Sequence, residues 1–462
     1  MRHIQSLTLV LAFLPTSAAH GDPPASQSDK PVAVEELLHR LSDGVLRVRD
    51  DAAKTILTLG AEALPKLLEA RNSLDPELRR RVEELIPQLE RKFLLEPKIV
   101  SLHMTNRPMR DVLSELCKQT GYKIAPWDGG FAAIGPGGVP LAAGTPANGQ
   151  AYSFHFDKLP FWQALDRVCE SSGMVLQQNY WGDDFLRLYA ADSYVPFNSY
   201  SGPFKVMATG FNYNRNNNFS ELARSAKQRG PNFVENLSLN LSIAVEPRLP
   251  ILRLGAAKIT EAVDAEGHSL IPSQGAGVGP SASRYYYGGW YRAYVQQVQV
   301  NLDWPAKSVR TIKVLRGSVP VSILADQRPA LITEKLLTAK GKRFKLEGAS
   351  FHVEDVQEMG GKQYQIRLAI TEALGDNQQD WTRINSLQQR LELLDAKGNK
   401  YQFYFNTMNN NGSTTQVTLM AQPPGPNIGP PTKLVYHSWN VMETEVPFEF
   451  HGLPLPDALA GG

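Results

Sequence analysis

The sequence predicts a multidomain α+β protein built from a short α-helical repeat, a duplicated βαβ unit and two β-sandwich-like domains. Three observations predict it. Residues 30–96 hold 25 charged side chains in 67 positions, whereas residues 200–320 hold 21 in 121. A strand-helix-strand pattern recurs at an offset of 52 residues. From about Pro196 onward, helical spacing gives way to short alternating runs separated by turn residues. A chain of 462 residues, at about 150 per domain, is long enough for several domains. Its hydrophobic content of 42% excludes wholesale disorder.

The first 21 residues read as an export signal. Arg2 supplies the positive charge, Ile4 to Leu14 the short apolar run, and Ser17, Ala18 and Ala19 the small residues before cleavage. Residues 22–31 form a Pro/Ser/Asp-rich linker. No later stretch approaches the ~18 apolar residues of a membrane helix, and no cysteine lies near the cleavage site. The mature chain is therefore expected to be exported (periplasmic, cell-envelope or secreted), with no transmembrane segment after signal cleavage.

Residues 32–96 carry helical spacing: Leu37, Leu38 and Leu41, then Ala52, Ala53, Ile56, Leu57 and Leu59. Asp75-Pro76-Glu77 has the form of a helix start, with Asp as N-cap and Pro in the first turn. Val82, Leu85, Ile86 and Leu89 continue an apolar stripe that Pro87 should kink. Val48-Arg49, Ala52-Ala53, Leu57, Leu59-Gly60, Ala63 and Leu64-Pro65 resemble the first helix and turn of HEAT repeats. Asp43, six residues before Arg49, matches that family's Asp–Arg ladder. The resemblance implies one and a half to two repeats. Since about three are needed to bury a continuous core, the block is expected to lean on a neighbour or a partner.

Residues 98–191 contain the duplication. Ser101-Leu102-His103-Met104 recurs as Ser153-Phe154-His155-Phe156, and Pro108, Leu113, Cys117 and Gly121 recur as Pro160, Leu165, Cys169 and Gly173. Each helix is expected to bury an i, i+3, i+4, i+7, i+8 stripe, Met109 to Cys117 in one copy and Phe161 to Cys169 in the other. A hairpin about Gly182-Asp183-Asp184 closes the unit, and the Gly/Pro/Ala-rich insert 128–150 reads as a flexible loop. The unit resembles the short N-terminal domain shared by secretins and TonB-dependent receptors, which implies docking in the envelope. No membrane barrel follows, so neither pore nor receptor activity carries over.

The remainder predicts two β-sandwich-like domains, 196–325 and 326–456, with a tail at 457–462. Leu237, Leu239, Leu241, Ile243 and Val245 alternate with polar residues as a half-buried strand does. Further strands are expected at 295–303, 310–316, 319–325, 344–351, 364–372, 391–394, 401–405, 415–421, 433–437 and 446–450. Val263-Asp264-Ala265-Glu266-Gly267 echoes Leu394-Asp395-Ala396-Lys397-Gly398, each a turn between strands.

Chemistry is sparse in this text. There is no H-E-x-x-H, no G-x-S-x-G and no phosphate loop. His103 and His155 occupy equivalent strand positions opposite the apolar residues, and are read as a docking-face pair rather than a metal or pH-sensing site. Cys117 and Cys169, the only cysteines, are a candidate disulfide in an oxidising compartment, weighed against simple burial on their helices. Arg284, Tyr285, Tyr286, Tyr287, Trp290, Tyr291 and Arg292 form a candidate surface for a glycan or a protein partner. Lys plus Arg number 48 and Asp plus Glu 46, a net charge of +2 that gives no basis for nucleic-acid binding. The expectation is a non-enzymatic, exported envelope protein that needs no cofactor and binds an envelope protein through its modules. The alternatives are polysaccharide binding through the aromatic cluster, and a hydrolase with no recognisable motif.

Overall fold

The computed structural model describes residues 33–126, 151–176, 186–190, 196–218, 232–272, 294–303, 309–372 and 381–455. The chain divides into two compact units, Met1–Leu94 and Leu95–Gly462.

The first unit is helical: α1 Val34–Leu41, α2 Leu46–Leu59, α3 Leu64–Ala70 and α4 Pro76–Leu95. The apolar spacing read from sequence becomes one core of Leu37, Leu41, Ile56, Leu67, Val82 and Leu89. Asp75 caps α4, its carboxylate accepting the Glu77 N–H at 2.9 Å. The helix runs through Pro87. Arg49 does reach Asp43, but donates to its backbone carbonyl at 2.8 Å. The Asp43 carboxylate accepts the Val45 N–H at 2.8 Å instead.

The second unit opens with the duplicated segment: β1 Ile99–Pro108, α5 Met109–Thr120 and β2 Ile124–Pro126, then β3 Ala151–Pro160, α6 Phe161–Ser172 and β4 Met174–Leu176, with β5 Leu186–Ala190. β1 and β3 pair antiparallel as a two-stranded sheet, and β2, β5 and β4 form a three-stranded one. The two copies are related by an approximate twofold. Ser101 Oγ accepts the Lys158 N–H and Ser153 Oγ accepts the Asn106 N–H, both at 2.9 Å. Asn106 and Lys158, also 52 apart, share a positive φ of 54° and 48°. Gly121 and Gly173 end the helices in the left-handed conformation, at φ 76° and 65°, where a Cβ would be strained. The insert 128–150 and the turn at 182–184 lie outside the described residues.

The rest of the unit is mostly β. Its first part holds β6 Asn198–Ser201, β7 Phe204–Asn218, β8 Asn232–Val245, β9 Ile251–Leu254, β10 Lys258–Asp264, β11 Val295–Leu302 and β12 Thr311–Thr333. Its second holds β13 Arg343–Leu346, β14 Ala349–Gly360, β15 Gln363–Glu372, α7 Trp381–Arg390, β16 Leu391–Asp395, β17 Gln402–Asn411, β18 Thr414–Gln422 and β19 Pro431–Pro454. Two outer sheets run β11-β8-β7-β6 and β13-β14-β15-β18-β17, and a shared sheet runs β10-β12-β19-β16, with β9 also on β12.

The two parts repeat one design. β7 and β8 pair from Phe204 opposite Val245 and bulge after Ala208; β14 and β15 pair from Ala349 opposite Glu372 and bulge after Val353. β11 lies along β8 from Ala244 to Leu237, and β18 along β15 from Thr371 to Tyr364. The echoed turns are equivalent in detail. The Asp264 carboxylate accepts the N–H groups of Glu266 and His268, and that of Asp395 accepts those of Lys397 and Asn399. The Asn399 side-chain amide, helped by these backbone donors, holds the Asp395 carboxyl at about 2, well below its ordinary range.

The division expected between residues 325 and 326 falls inside a continuous strand, and this corrects the reading of separate strands at 310–316 and 319–325. β12 pairs with β19 from Thr311 opposite Pro454 to Thr333 opposite Leu434. The runs expected at 433–437 and 446–450 are likewise one strand, β19. The first half of β12 pairs with β10, and the first half of β19 with β16. Each repeat therefore supplies the far half of its last strand to the other repeat's sheet. In the second repeat both layers share a core: Phe351, Val353, Ile366, Leu368 and Leu419 from the outer sheet meet Ile332, Leu393 and Leu434 from the shared one.

Gly317 makes the pairing with β10 possible. A Cβ there would lie 2.5 Å from the Lys258 carbonyl oxygen and 2.8 Å from Phe448 Cζ. Gly317→Ala must push β10 away, and is expected to cost about 1–3 kcal/mol, read as a lower urea midpoint. An unchanged midpoint would contradict so close an approach.

Candidate functional site

The duplicated unit turns one face of its β1–β3 ribbon inward and one outward. Strand alternation buries Leu102, Tyr152, Phe154 and Phe156. It sends Ser153, His155 and Asp157 outward on β3, and His103 and Thr105 outward on β1. His103 and His155 are directly opposite each other in the register, with ring centroids 6.4 Å apart and edge to face. The twofold places Asp157 where the other copy has Thr105. His103 Nε2 lies 2.7 Å from Asp157 Oδ1, and His155 Nε2 lies 3.3 Å from Thr105 Oγ1. The carboxylate that sequence spacing did not connect to the pair thus belongs to the next outward position of the partner strand. Both imidazoles stay exposed. Among the described residues, no group of three His, Cys, Asp or Glu side chains could hold a metal ion. The ribbon offers instead a surface of hydrogen-bond donors and acceptors, and among the described residues neither of its outer edges is paired.

Buried polar groups clamp this unit to the first β repeat. Glu246, fully buried, accepts the Tyr122 hydroxyl at 2.5 Å and the Lys98 N–H at 2.9 Å, and pairs with Arg248 at 3.1 Å. Arg248 also donates to the Glu96 carbonyl. Burial, and next the Glu246 charge, push the Tyr122 hydroxyl well above its ordinary value, so it is a donor at any physiological pH. Asp166 on α6 accepts Lys205 Nζ at 2.6 Å from β7 and the Tyr200 hydroxyl at 2.6 Å from β6. Trp162 Nε1 donates to the Pro203 carbonyl at 2.9 Å. These groups resemble catalytic carboxylates in composition, but each is saturated by its neighbours and acts as a structural tie. No sequence motif marks them. The available signals were Glu246 directly after an apolar strand and Asp166 between the buried Leu165 and Val168.

The other sequence candidates fare differently. Cys117 and Cys169 are unbonded, which corrects the candidate disulfide. Cys117 Sγ sits 3.8 Å from the Ile124 carbonyl oxygen, and Cys169 is buried in its own helix packing. Burial, and secondarily the Asp166 charge, push the Cys169 thiol up to about 12, so it stays protonated and unreactive. Arg284, Tyr285, Tyr286, Tyr287, Trp290, Tyr291 and Arg292 lie outside the described residues. No protein-family model, curated protein or solved structure matches the chain.

The clamp makes a quantitative prediction. Lys205→Met strands the Asp166 carboxylate in the interior and is expected to cost about 3–5 kcal/mol in urea unfolding. Adding Asp166→Leu should recover most of that loss, because the uncompensated charge is removed with its partner. A double variant no more stable than Lys205→Met would show that packing, rather than the buried charge, sets the cost.

Proposed function

We propose that this chain is a non-enzymatic, exported envelope protein that binds an envelope protein partner through its modules, the outward face of the β1–β3 ribbon being the docking surface. One observation carries the reading. The twofold-related copies bring His103 and His155, with their unlike partners Asp157 and Thr105, into one polar patch on the side of the unit away from its core. The opposite side is committed to the helices, and the unit itself is tied to the first β repeat, so a partner bound at the patch would be held rigidly with respect to that repeat. On this reading the helical unit is HEAT-like, the duplicated unit is a relative of the secretin/TonB short N-terminal domain, and the two β repeats are sandwich-like spacers. The likeness in residue pattern and the export-signal character of residues 1–21 support it.

The test is cross-linking in cells of the tagged mature chain, followed by mass spectrometry. A reproducible envelope protein should be captured by the native chain and lost from a His103→Ala/His155→Ala/Asp157→Ala variant of unchanged thermal stability. Equal capture by both would remove the ribbon face from the account.

A further inference from the structure

The outer face of the β11-β8-β7-β6 sheet carries a row of uncharged polar side chains. Thr209, Asn212 and Asn214 on β7 and Gln297, Gln299 and Asn301 on β11 are exposed, with Asn240 of β8 half-buried between them. None carries charge. Asn240 Oδ1 accepts Asn212 Nδ2 at 3.2 Å on one side and Gln299 Nε2 at 3.1 Å on the other, so three strands are joined by an amide ladder. A carboxamide has two N–H donors and a two-lone-pair oxygen, and one bond leaves Asn212 and Gln299 with capacity for more.

The second repeat supplies a control within the same molecule. By register, Gly210, Asn212 and Asn240 correspond to Asp355, Gln357 and Arg367. There the ladder is ionic: the Asp355 carboxylate pairs with Lys340 at 2.8 Å and with Arg367 at 3.1 Å, and accepts Gln357 at 2.6 Å. The same architecture carries a cluster of one carboxylate and two cations in one repeat and a row of amides in the other. The amides are therefore a property of this sequence position and are not required by the fold.

We propose that this amide face binds an uncharged polysaccharide. Strands about 4.8 Å apart set donors and acceptors in rows, which suit the hydroxyl groups of a neutral sugar chain. A polyanion would need cations, and Thr209, Asn212, Asn214, Asn240, Gln297, Gln299 and Asn301 supply none. A protein interface would draw on aromatic and apolar residues at its centre, and this face offers amides and a hydroxyl. The site is separate from the β1–β3 ribbon, so it stands whether or not that ribbon docks a protein.

Affinity gel electrophoresis of the mature chain through dextran, hydroxyethylcellulose and galactomannan, with alginate as the anionic probe, tests it. At least one neutral polymer should retard the native chain. Asn212→Ala/Asn240→Ala/Gln299→Ala should weaken that retardation at least tenfold, whereas Gln357→Ala on the second repeat should leave it unchanged. Gln299→Glu, a single exposed change that keeps the fold, should weaken it too. No retardation by any neutral polymer, retardation by alginate alone, or retardation indifferent to both amide variants would overturn the proposal.

Discussion

The antiparallel pairing of β12 with β19 is the constraint on which the second unit depends. Either strand is more than twenty residues long, far beyond the usual five or six. Neither could stay ordered over that length as an isolated ribbon. Each is supported by its own repeat at its start and by the other repeat at its end, so closing either layer requires both. Burial alternates along β12 from Leu315 through Gly317 and Val319 to Val321, which favours one register, because a one-residue slip would turn that set to the other face of the sheet. Across the sheet, Arg316 pairs with Glu261 at 2.6 Å and Glu449 at 2.8 Å, bridging three strands. These exposed pairs add little stability, but they disfavour the slipped alignments that would set like charges opposite one another.

Buried polar bonds do a second kind of work. Apolar contact is non-directional and would let the duplicated unit slide over the first repeat. The Glu246 and Asp166 clusters have one geometry in which every group is satisfied, and any other leaves a buried charge without a partner. The unit is thereby orientated as well as attached. That orientation keeps the His103–His155 face and the amide face of the neighbouring sheet as distinct surfaces on one rigid support, each with its own chemistry.

How much of this was legible in the sequence follows from how each duplication diverged. The strand-helix-strand copies keep a constant offset of 52, so Ser101 and Ser153, His103 and His155, and Gly121 and Gly173 align by eye. The β repeats do not. Phe204 corresponds to Ala349, Val245 to Glu372, Asp264 to Asp395 and Ile312 to Pro431, four different offsets, and only the Asp264 and Asp395 turns survive as a visible echo. The shared strand was hidden for a local reason. Gly317-Ser318 followed by Pro320 has the composition of a turn, yet Gly317 is there for a close backbone approach, and the Pro320 carbonyl accepts the Gly255 N–H. Of the site, the histidine pair was legible because alternation puts both outward. Asp157 as the partner of His103, and the amide ladder through Asn240, depend on cross-strand register, which alternation alone does not fix.

Exchanged strand halves make the two β repeats one cooperative structure. Hydrogen exchange followed by mass spectrometry on a Phe351→Ala variant tests it most directly, since Phe351 lies deep in the second repeat's core and its truncation should cost about 3–5 kcal/mol. Peptides covering Leu237–Val245 of the first repeat should lose protection together with those covering Tyr364–Ile370 of the second, and by a similar factor. Full protection retained in Leu237–Val245 while Tyr364–Ile370 opens would contradict it, because the repeats would then be independent domains that merely touch.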